Sequence, residues 1–209
     1  MVKFTVIGGG ASKDLAKRLA RKLKAVYIET ETKIFPDGES KITLRKIPKK
    51  SVILVVQSTY PPVDTNLLQA LSIISQVRKI SSRTFAIIPY MGYARQDKQF
   101  LSGEVITMSV VAKMLQSAGA KKVIVVDIHS NTALNHFNIP TENVSAVPEL
   151  ANYFKKLNLK NPLVVSPDVG GSSRSKKFAS LLKTDFIVLK KHRDRKTGRV
   201  SIQTTKADV

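Results

Sequence analysis

Cysteine occurs at none of the 209 positions. Disulfides, thiolate metal sites and cysteine nucleophiles are therefore excluded, which suits a reducing or a hot cytoplasm equally well. Aromatic side chains are scarce at 6%, so platforms for stacking nucleic-acid bases are few. No apolar run approaches the roughly 18 residues needed to cross a bilayer, and the opening MVKFTVIGGG lacks the basic-then-apolar layout of a secretory signal. On these grounds the chain reads as soluble and cytoplasmic, without a membrane partner. No short repeat, low-complexity tract or Gly/Ser linker breaks it up. Acidic residues are also in short supply: 15 Asp and Glu stand against 35 Lys and Arg, a net charge of +20. That balance favours polyanionic partners, either nucleic acid or phosphorylated metabolites.

What is present alternates. The stretches KFTVIGGG, SVILVVQS, RTFAIIPY, KKVIVVDIHS, NPLVVSPD and DFIVLKK read as strands, most of them apolar on both faces as buried parallel strands are. Between them SKDLAKRLARKLKA, VDTNLLQALSIISQVRK, VITMSVVAKMLQSAGA, VPELANYFKKL and GGSSRSKKFASLLK carry helical spacing. The pattern predicts an α/β doubly wound fold with a central parallel sheet. Ser12 and Asp64 are candidate N-caps, and Gly119 stops the third helix. IFPDGESKITL interrupts the alternation and predicts a hairpin or projecting flap around Pro36, Asp37 and Gly38. The turn-rich NIPTENVSAVP, Asn138 to Pro148, is the nearest thing to a boundary. It predicts a first domain over 1–145 and a second over 146–209.

Ligands of open α/β sheets bind beyond the carboxyl ends of the strands, and the polar clusters of this sequence fall there repeatedly. IIPYMGYARQDKQF, VVDIHSN, VVSPDVGGSSRS and IVLKKHRDRKTG each follow an apolar strand. In VIVVDIHSN, Asp127 and His129 lie two apart on what reads as a strand, so they share a face where the chain leaves the sheet. A capping or core role for either is the plainer alternative. Mg²⁺ takes carboxylate, water and phosphate oxygens with only one or two protein ligands, a sparse set that His129 and Asp168 could supply. Imidazole alone would suit Zn²⁺ or Mn²⁺ equally, but neither an H-E-x-x-H pattern nor a cysteine set completes a zinc site. Gly170 and Gly171, just before a helix, and VIGGGAS at Val6 to Ser12 offer turns that present amides to anions. Neither is a dinucleotide fingerprint or a P-loop. The bases of KDLAKRLARKLK fall on the outer face of an amphipathic helix, whereas LKKHRDRKTGR gathers basic residues with no apolar period.

The motifs FPDGE (Phe35 to Glu39), YARQDK (Tyr93 to Lys98), DIHS (Asp127 to Ser130), SPDVGG (Ser166 to Gly171) and KHR (Lys191 to Arg193), in this order and spacing, resemble the ribose-phosphate diphosphokinase (PRPP synthetase) family in its archaeal form. Each motif alone is weak; together they are specific, and the likeness runs over the whole chain. It implies a transferase of nucleotide biosynthesis that moves the diphosphoryl group of Mg-ATP to the C1 hydroxyl of ribose 5-phosphate, giving 5-phosphoribosyl 1-diphosphate and AMP. It implies two phosphoribosyltransferase-like domains and a homo-oligomer with the ATP site between subunits. By the same resemblance Phe35, Asp37 and Glu39 form a flap that a neighbouring subunit lends to the adenine and ribose. Arg95, Gln96 and Asp97 hold the adenosine and phosphates, His129 and Asp168 are associated with Mg²⁺, and Lys191 and Arg193 belong to a mobile loop that closes on the transferring group. Phosphoryl transfer is largely positioning plus charge neutralisation, so a basic flexible loop suits it.

One departure stands out. The family's ribose 5-phosphate loop should follow GRVSIQTTKADV, where this sequence stops, so the expectation is a truncated chain whose second domain is incomplete. A non-catalytic, PRPP-synthetase-like regulatory subunit lacking the acceptor site is the competing reading, against which His129, Asp168, Lys191 and Arg193 are all in place. A nucleic-acid-binding protein would use the same charge, but no helix-turn-helix, RNP-like pattern or basic stripe with interleaved aromatics is present.

Overall fold

In the computed structural model, residues 3–45, 47–48, 51–193 and 200–203 are described, with 190–193 and 200–203 as backbone only. The chain divides into two compact units, Met1–Val144 and Ser145–Val209. Among the described residues the first unit holds seven strands: β1 (Phe4–Gly8), β2 (Val26–Ile34), β3 (Ser40–Leu44), β4 (Val52–Val56), β5 (Thr84–Ile88), β6 (Lys122–Val126) and β7 (Thr141–Val144), in the order β3-β2-β1-β4-β5-β6-β7. All neighbours are parallel except the β2–β3 pair. The run VILVV of β4 is buried at every position, as a central strand covered on both faces must be. Helices α1 (Lys13–Lys22), α2 (Val63–Arg78) and α3 (Thr107–Ala118) connect the strands.

The strand alternation divides the core. Ile7, Ile53, Val55, Ala86, Ile88, Val123 and Val125 face α2 and α3, which bring Ile73, Ile74, Val77, Met108 and Leu115. On the opposite face Val6, Val52, Leu54 and Val56 meet Ala16 and Ala20 of α1, with Phe85 and Ile87 only partly covered. Each fully buried Ile or Leu there contributes about 1.5–3 kcal/mol relative to exposure, so this two-faced burial is what fixes the register of the sheet.

Several local expectations are met and several are corrected. The flap is a hairpin: β2 pairs with β1 only from Val26 to Glu29, and beyond Glu29 it pairs with β3 alone, so the two strands outrun the sheet. Gly119 ends α3. Ser12 precedes α1, although its hydroxyl accepts from Ser58 N at 2.8 Å rather than from the helix. Asp64 does not cap α2: the helix is preceded by Pro62, and Asp64 lies in its first turn. β2 and β7 were absent from the strands read off the sequence because VYIETETKI and TENV are too polar to show a buried strand. The edge strand β7 and the hairpin β2–β3 need no such burial.

The second unit contains α4 (Val147–Lys155), β8 (Val164–Ser166), α5 (Ser172–Leu182), β9 (Phe186–Val188), β10 (Lys190–Arg193) and β11 (Val200–Gln203). β8 and β9 run parallel with α5 between them, a single right-sized β-α-β step. Phe154 of α4 meets Phe178 of α5 edge to face, with centroids 5.6 Å apart. The run DFIVLKK is not one strand: β9 ends at Val188, and Lys190–Arg193 pairs antiparallel with Val200–Gln203.

Candidate active site

The exits of β5 and β6 are neighbouring loops at the carboxyl edge of the sheet. After β5 the chain crosses Thr59, whose hydroxyl donates to Tyr90 O at 2.9 Å and accepts from Gly92 N at 2.7 Å. A Cβ on Gly92 would stand 2.7 Å from Val63 Cγ1 and 3.1 Å from Thr59 O, so only glycine lets the loop press this close to α2. Tyr93 then adopts φ 61°, its hydroxyl donates to the Asp64 carboxylate, and Gln96 N closes the turn on Tyr93 O at 2.9 Å. The hydrogen bond to Asp64, followed by burial and the carboxylate charge, pushes the Tyr93 phenol above its ordinary value. Held in this way, the turn exposes Arg95 and Gln96, while Asp97 is only 6% exposed.

The β6 exit is tied to that turn. His136, in the 3-10 turn Asn131–His136, sets Nε2 2.7 Å from the carbonyl oxygen of Asp97. β6 ends at Val126, and Asp127 takes φ 41°. Asp127 and His129 are therefore beyond the strand, and the shared-face argument from strand alternation fails there. What fixes the exit instead is Asn143 of β7. Its Oδ1 accepts from Ile128 N at 3.1 Å, its Nδ2 donates to Asn131 Oδ1 at 3.0 Å, and Asp127 N donates to Val144 O at 2.9 Å. His129 is exposed at the top of this braced turn. Sequence reasoning missed Asn143 because it sat within the supposed boundary segment; missed with it was His136, whose only signal was its place seven residues beyond His129.

At the hairpin tip Phe35 N donates to Glu39 O at 2.8 Å, Gly38 N to Phe35 O at 2.9 Å and Glu39 N to Asp37 Oδ1 at 3.1 Å, with Gly38 at φ 90°. Asp37 and Glu39 are exposed, and Lys33 Nζ lies 5.4 Å from the Phe35 ring centroid. Because β2 runs parallel to β1, the tip points past the same carboxyl edge as the β5 and β6 exits. It is separated from β5 by β1 and β4, three strand spacings or ~14 Å across the sheet. The structure thus brings Arg95, Gln96 and Asp97 together with the His129 turn, and sets Phe35, Asp37 and Glu39 apart from them.

In the second unit Asp168 precedes the 3-10 turn Val169–Gly171, and its Oδ1 accepts from Gly171 N at 2.9 Å. Ser166 Oγ donates to Asp168 O at 2.8 Å. The carboxylate is thereby fixed at the start of α5, which does the work of a cap. Lys191 and Arg193 fall on β10, opposite Ile202 and Val200. They were expected on an irregular loop; the rest of that loop, residues 194–199, lies outside the described residues. Among the described residues no group of three or more His, Cys, Asp and Glu gathers as a metal cage.

A model of the N-terminal domain of ribose phosphate pyrophosphokinase matches residues 4–119, the span that carries the hairpin and the β5 exit. The chain belongs to the ribose-phosphate pyrophosphokinase family. A ribose-phosphate pyrophosphokinase of Methanobrevibacter smithii is 38% identical over 98% of this chain and 67% of its own length. One from Sulfurisphaera tokodaii is 34% identical over 95% of this chain and 68% of its own, and one from Fusobacterium nucleatum 36% identical over 92% and 63%. The crystal structure of phosphoribosylpyrophosphate synthetase from Mycobacterium smegmatis superposes with a TM-score of 0.81 at 28% identity, over 95% of this chain and 67% of that one. The chain thus spans about two thirds of the length of these family members.

Proposed function

We propose that this chain is part of an enzyme that transfers the β,γ-diphosphoryl group of ATP to ribose 5-phosphate, giving 5-phosphoribosyl 1-diphosphate and AMP. The C1 hydroxyl oxygen attacks the β-phosphorus, the bond from that phosphorus to the α,β-bridging oxygen breaks, AMP departs with the bridging oxygen, and the hydroxyl proton is released. Such transfers are driven by alignment and charge neutralisation. Arg95 and Gln96, exposed on their braced turn, serve the adenosine and phosphates, whereas buried Asp97 acts mainly by anchoring that turn to His136. Of the two residues tied to Mg²⁺ by resemblance, Asp168 in the second unit offers a carboxylate oxygen, a donor that suits the ion, and His129 in the first unit an imidazole nitrogen. When bound, the ion would supply charge neutralisation on the triphosphate. Lys191 and Arg193 neutralise the group in flight.

The observation that carries this reading is the placement of Phe35, Asp37 and Glu39, ~14 Å across the sheet from Arg95 yet beyond the same edge. A tip so placed serves the nucleotide of a neighbour, which requires a homo-oligomer. Exposed Phe100, Leu101, Val105 and Val110 supply apolar surface for such an assembly. The unit from Ser145 is read as the start of a second phosphoribosyltransferase-like domain, supported by its β8-α5-β9 step. Among the described residues no helix is long and apolar enough to cross a membrane, and a cytoplasmic place accords with the substrates. Formation of AMP from ATP that depends on ribose 5-phosphate, assayed with the full-length protein, tests the activity. Lys191→Ala and Arg193→Ala should each depress kcat far more than they raise KM for ATP, because they meet charge that develops only in the transition state. A change confined to KM, steepening with salt, would reduce them to an electrostatic lure. A full-length protein that binds ATP but forms no AMP would favour the regulatory-subunit reading.

A further inference from the structure

The sheet of the first unit separates its charges. Its neighbouring strands are parallel apart from the β2–β3 pair, so the residues that lead into them share one edge, opposite the edge that carries the candidate site. Asp64, Asp97, Asp127 and the acids of the hairpin tip stand at the carboxyl edge, after a strand or at the start of a helix. At the amino edge stand Lys24 before β2, Lys3 before β1, Arg83 before β5 and Lys121 before β6, all four exposed. Glu142, at the start of β7, is engaged by Lys122 at 2.5 Å. Among the described residues none of the four cations takes part in an ion pair. Across the order β2-β1-β4-β5-β6 they cover four strand spacings, ~19 Å. They are far apart in the chain, so the sequence shows no basic stripe; the parallel sheet assembles one.

Their backbones are fixed. Lys3 O accepts from Val52 N and Arg83 O from Ile53 N, each at 2.9 Å, and Lys121 N donates to Thr84 O at 2.8 Å. Cations at the ends of helices answer the last carbonyls of the helix, which accounts for Lys22 and Lys79. That account does not reach Lys3, Arg83 and Lys121, which stand at strand starts. Lys24 goes further. It follows the C-cap of α1 with φ 50°, a left-handed position where helices commonly place glycine because a side chain is strained there. The chain thus keeps a cation where the backbone favours no side chain, and strain of this kind at an exposed residue points to function. The exposed aromatic rings Tyr60, Tyr90 and Phe100 follow the carboxyl ends of β4 and β5, whereas the large apolar groups exposed near the amino edge are the aliphatic Leu23, Val26 and Ile80. Bases would find no ring to stack on there.

From this array we infer that the amino edge of the first unit is a docking surface for a nucleic-acid duplex, held through its phosphates without regard to base sequence. A duplex carries one negative charge per ~1.7 Å of its axis, so a row of cations across the sheet meets phosphates along its whole length. A bilayer presents its charge in a plane and rewards inserted aromatic side chains, which this edge lacks. The inference does not rest on the transfer reaction proposed above.

The test is fluorescence anisotropy of the full-length protein with a labelled mixed-sequence duplex, made as DNA and as RNA, at salt from about 50 to 200 mM. Both duplexes should bind. Four phosphate contacts should give a double-logarithmic salt slope of roughly −3 to −4, an affinity loss on the order of 100-fold over that range. Lys24→Gln, Arg83→Gln and Lys121→Gln should each make the slope shallower by about one. The three combined should lose binding at the upper salt while melting as the wild type does. Lys24→Arg with Lys121→Arg keeps the charge and should keep the slope. The deciding control removes the same charge elsewhere: Lys113→Gln, Lys155→Gln and Lys156→Gln combined, all at exposed positions, should leave the slope unchanged. Equal weakening by the two triple variants would reduce the binding to net charge and overturn the inference. So would failure of both duplexes to bind at the lowest salt, or capture by phosphatidylserine vesicles that the edge variant abolishes while its duplex binding persists.

Discussion

His129 is exposed, and its backbone is held by a turn that does not use the imidazole, so its side chain adds little to the fold. His129→Ala should leave the melting temperature nearly unchanged, since surface substitutions of this kind stay within about 0.5 kcal/mol. In the full-length enzyme it should cut kcat by about 100-fold or more if the imidazole attends the reacting phosphates; a variant with normal turnover would remove it from the site. Tyr93 is the opposite case, a residue whose function is to hold the loop. Losing its hydroxyl in Tyr93→Phe should cost about 0.5–1.5 kcal/mol, measured by urea denaturation. Its phenol is raised by the bond to Asp64, by burial and by the carboxylate charge. The stability it lends is therefore fully present below the ordinary phenolic range and is lost as pH rises through the higher folded value. The difference between ultraviolet titrations of wild type and Tyr93→Phe should isolate a late-ionising phenol, apart from that of Tyr27, which burial also raises, and Asp64→Asn should bring the Tyr93 phenol down.

Among the elements, the braced exit of β6 shows what a sequence can and cannot disclose. VILVV and KVIVV announce buried strands because every side chain must find apolar cover. Polar TENV announces nothing, although its Asn143 joins Ile128 and Asn131 through two hydrogen bonds. Contacts between residues 12 and 15 apart across a crossover leave no period to read. The hairpin was legible through its turn residues, while its base was hidden, since β2 alternates in burial with charged residues between. At the site, Asp127 and His129 were read as strand partners on alternation alone, and a left-handed Asp127 is what alternation does not foresee. Asn143→Ala should leave the amide of buried Ile128 unpaired and cost about 1–3 kcal/mol. Asn143→Asp keeps the acceptor and should recover most of that loss. Chemical denaturation and kcat of the two variants, compared side by side, separate a brace from a bystander: a bystander would show equal and near-wild-type values for both.

For the whole molecule, the carboxyl edge of the sheet gathers the Arg95 turn and the His129 turn and leaves the hairpin tip to stand alone. Light scattering of the full-length protein should therefore give at least a dimer; a monomer with undiminished ATP affinity would refute a shared site. The lone tip also bears on inheritance. If each nucleotide rests on one subunit's turns and another subunit's tip, a lesion at Phe35 and a lesion at His129 damage different halves of every composite site. Two inactive variants, Phe35→Ala and His129→Ala, should then rescue one another when expressed in the same cell. Random mixing in equal amounts rebuilds about a quarter of the sites with both halves intact, the share expected when the two halves come from independently drawn subunits of a symmetric assembly. Two lesions in one half, Phe35→Ala with Glu39→Ala on separate chains, should give no rescue at all, so that growth of the doubly transformed strain would report, without any purified protein, which residues of this chain work across the subunit boundary and which work within it.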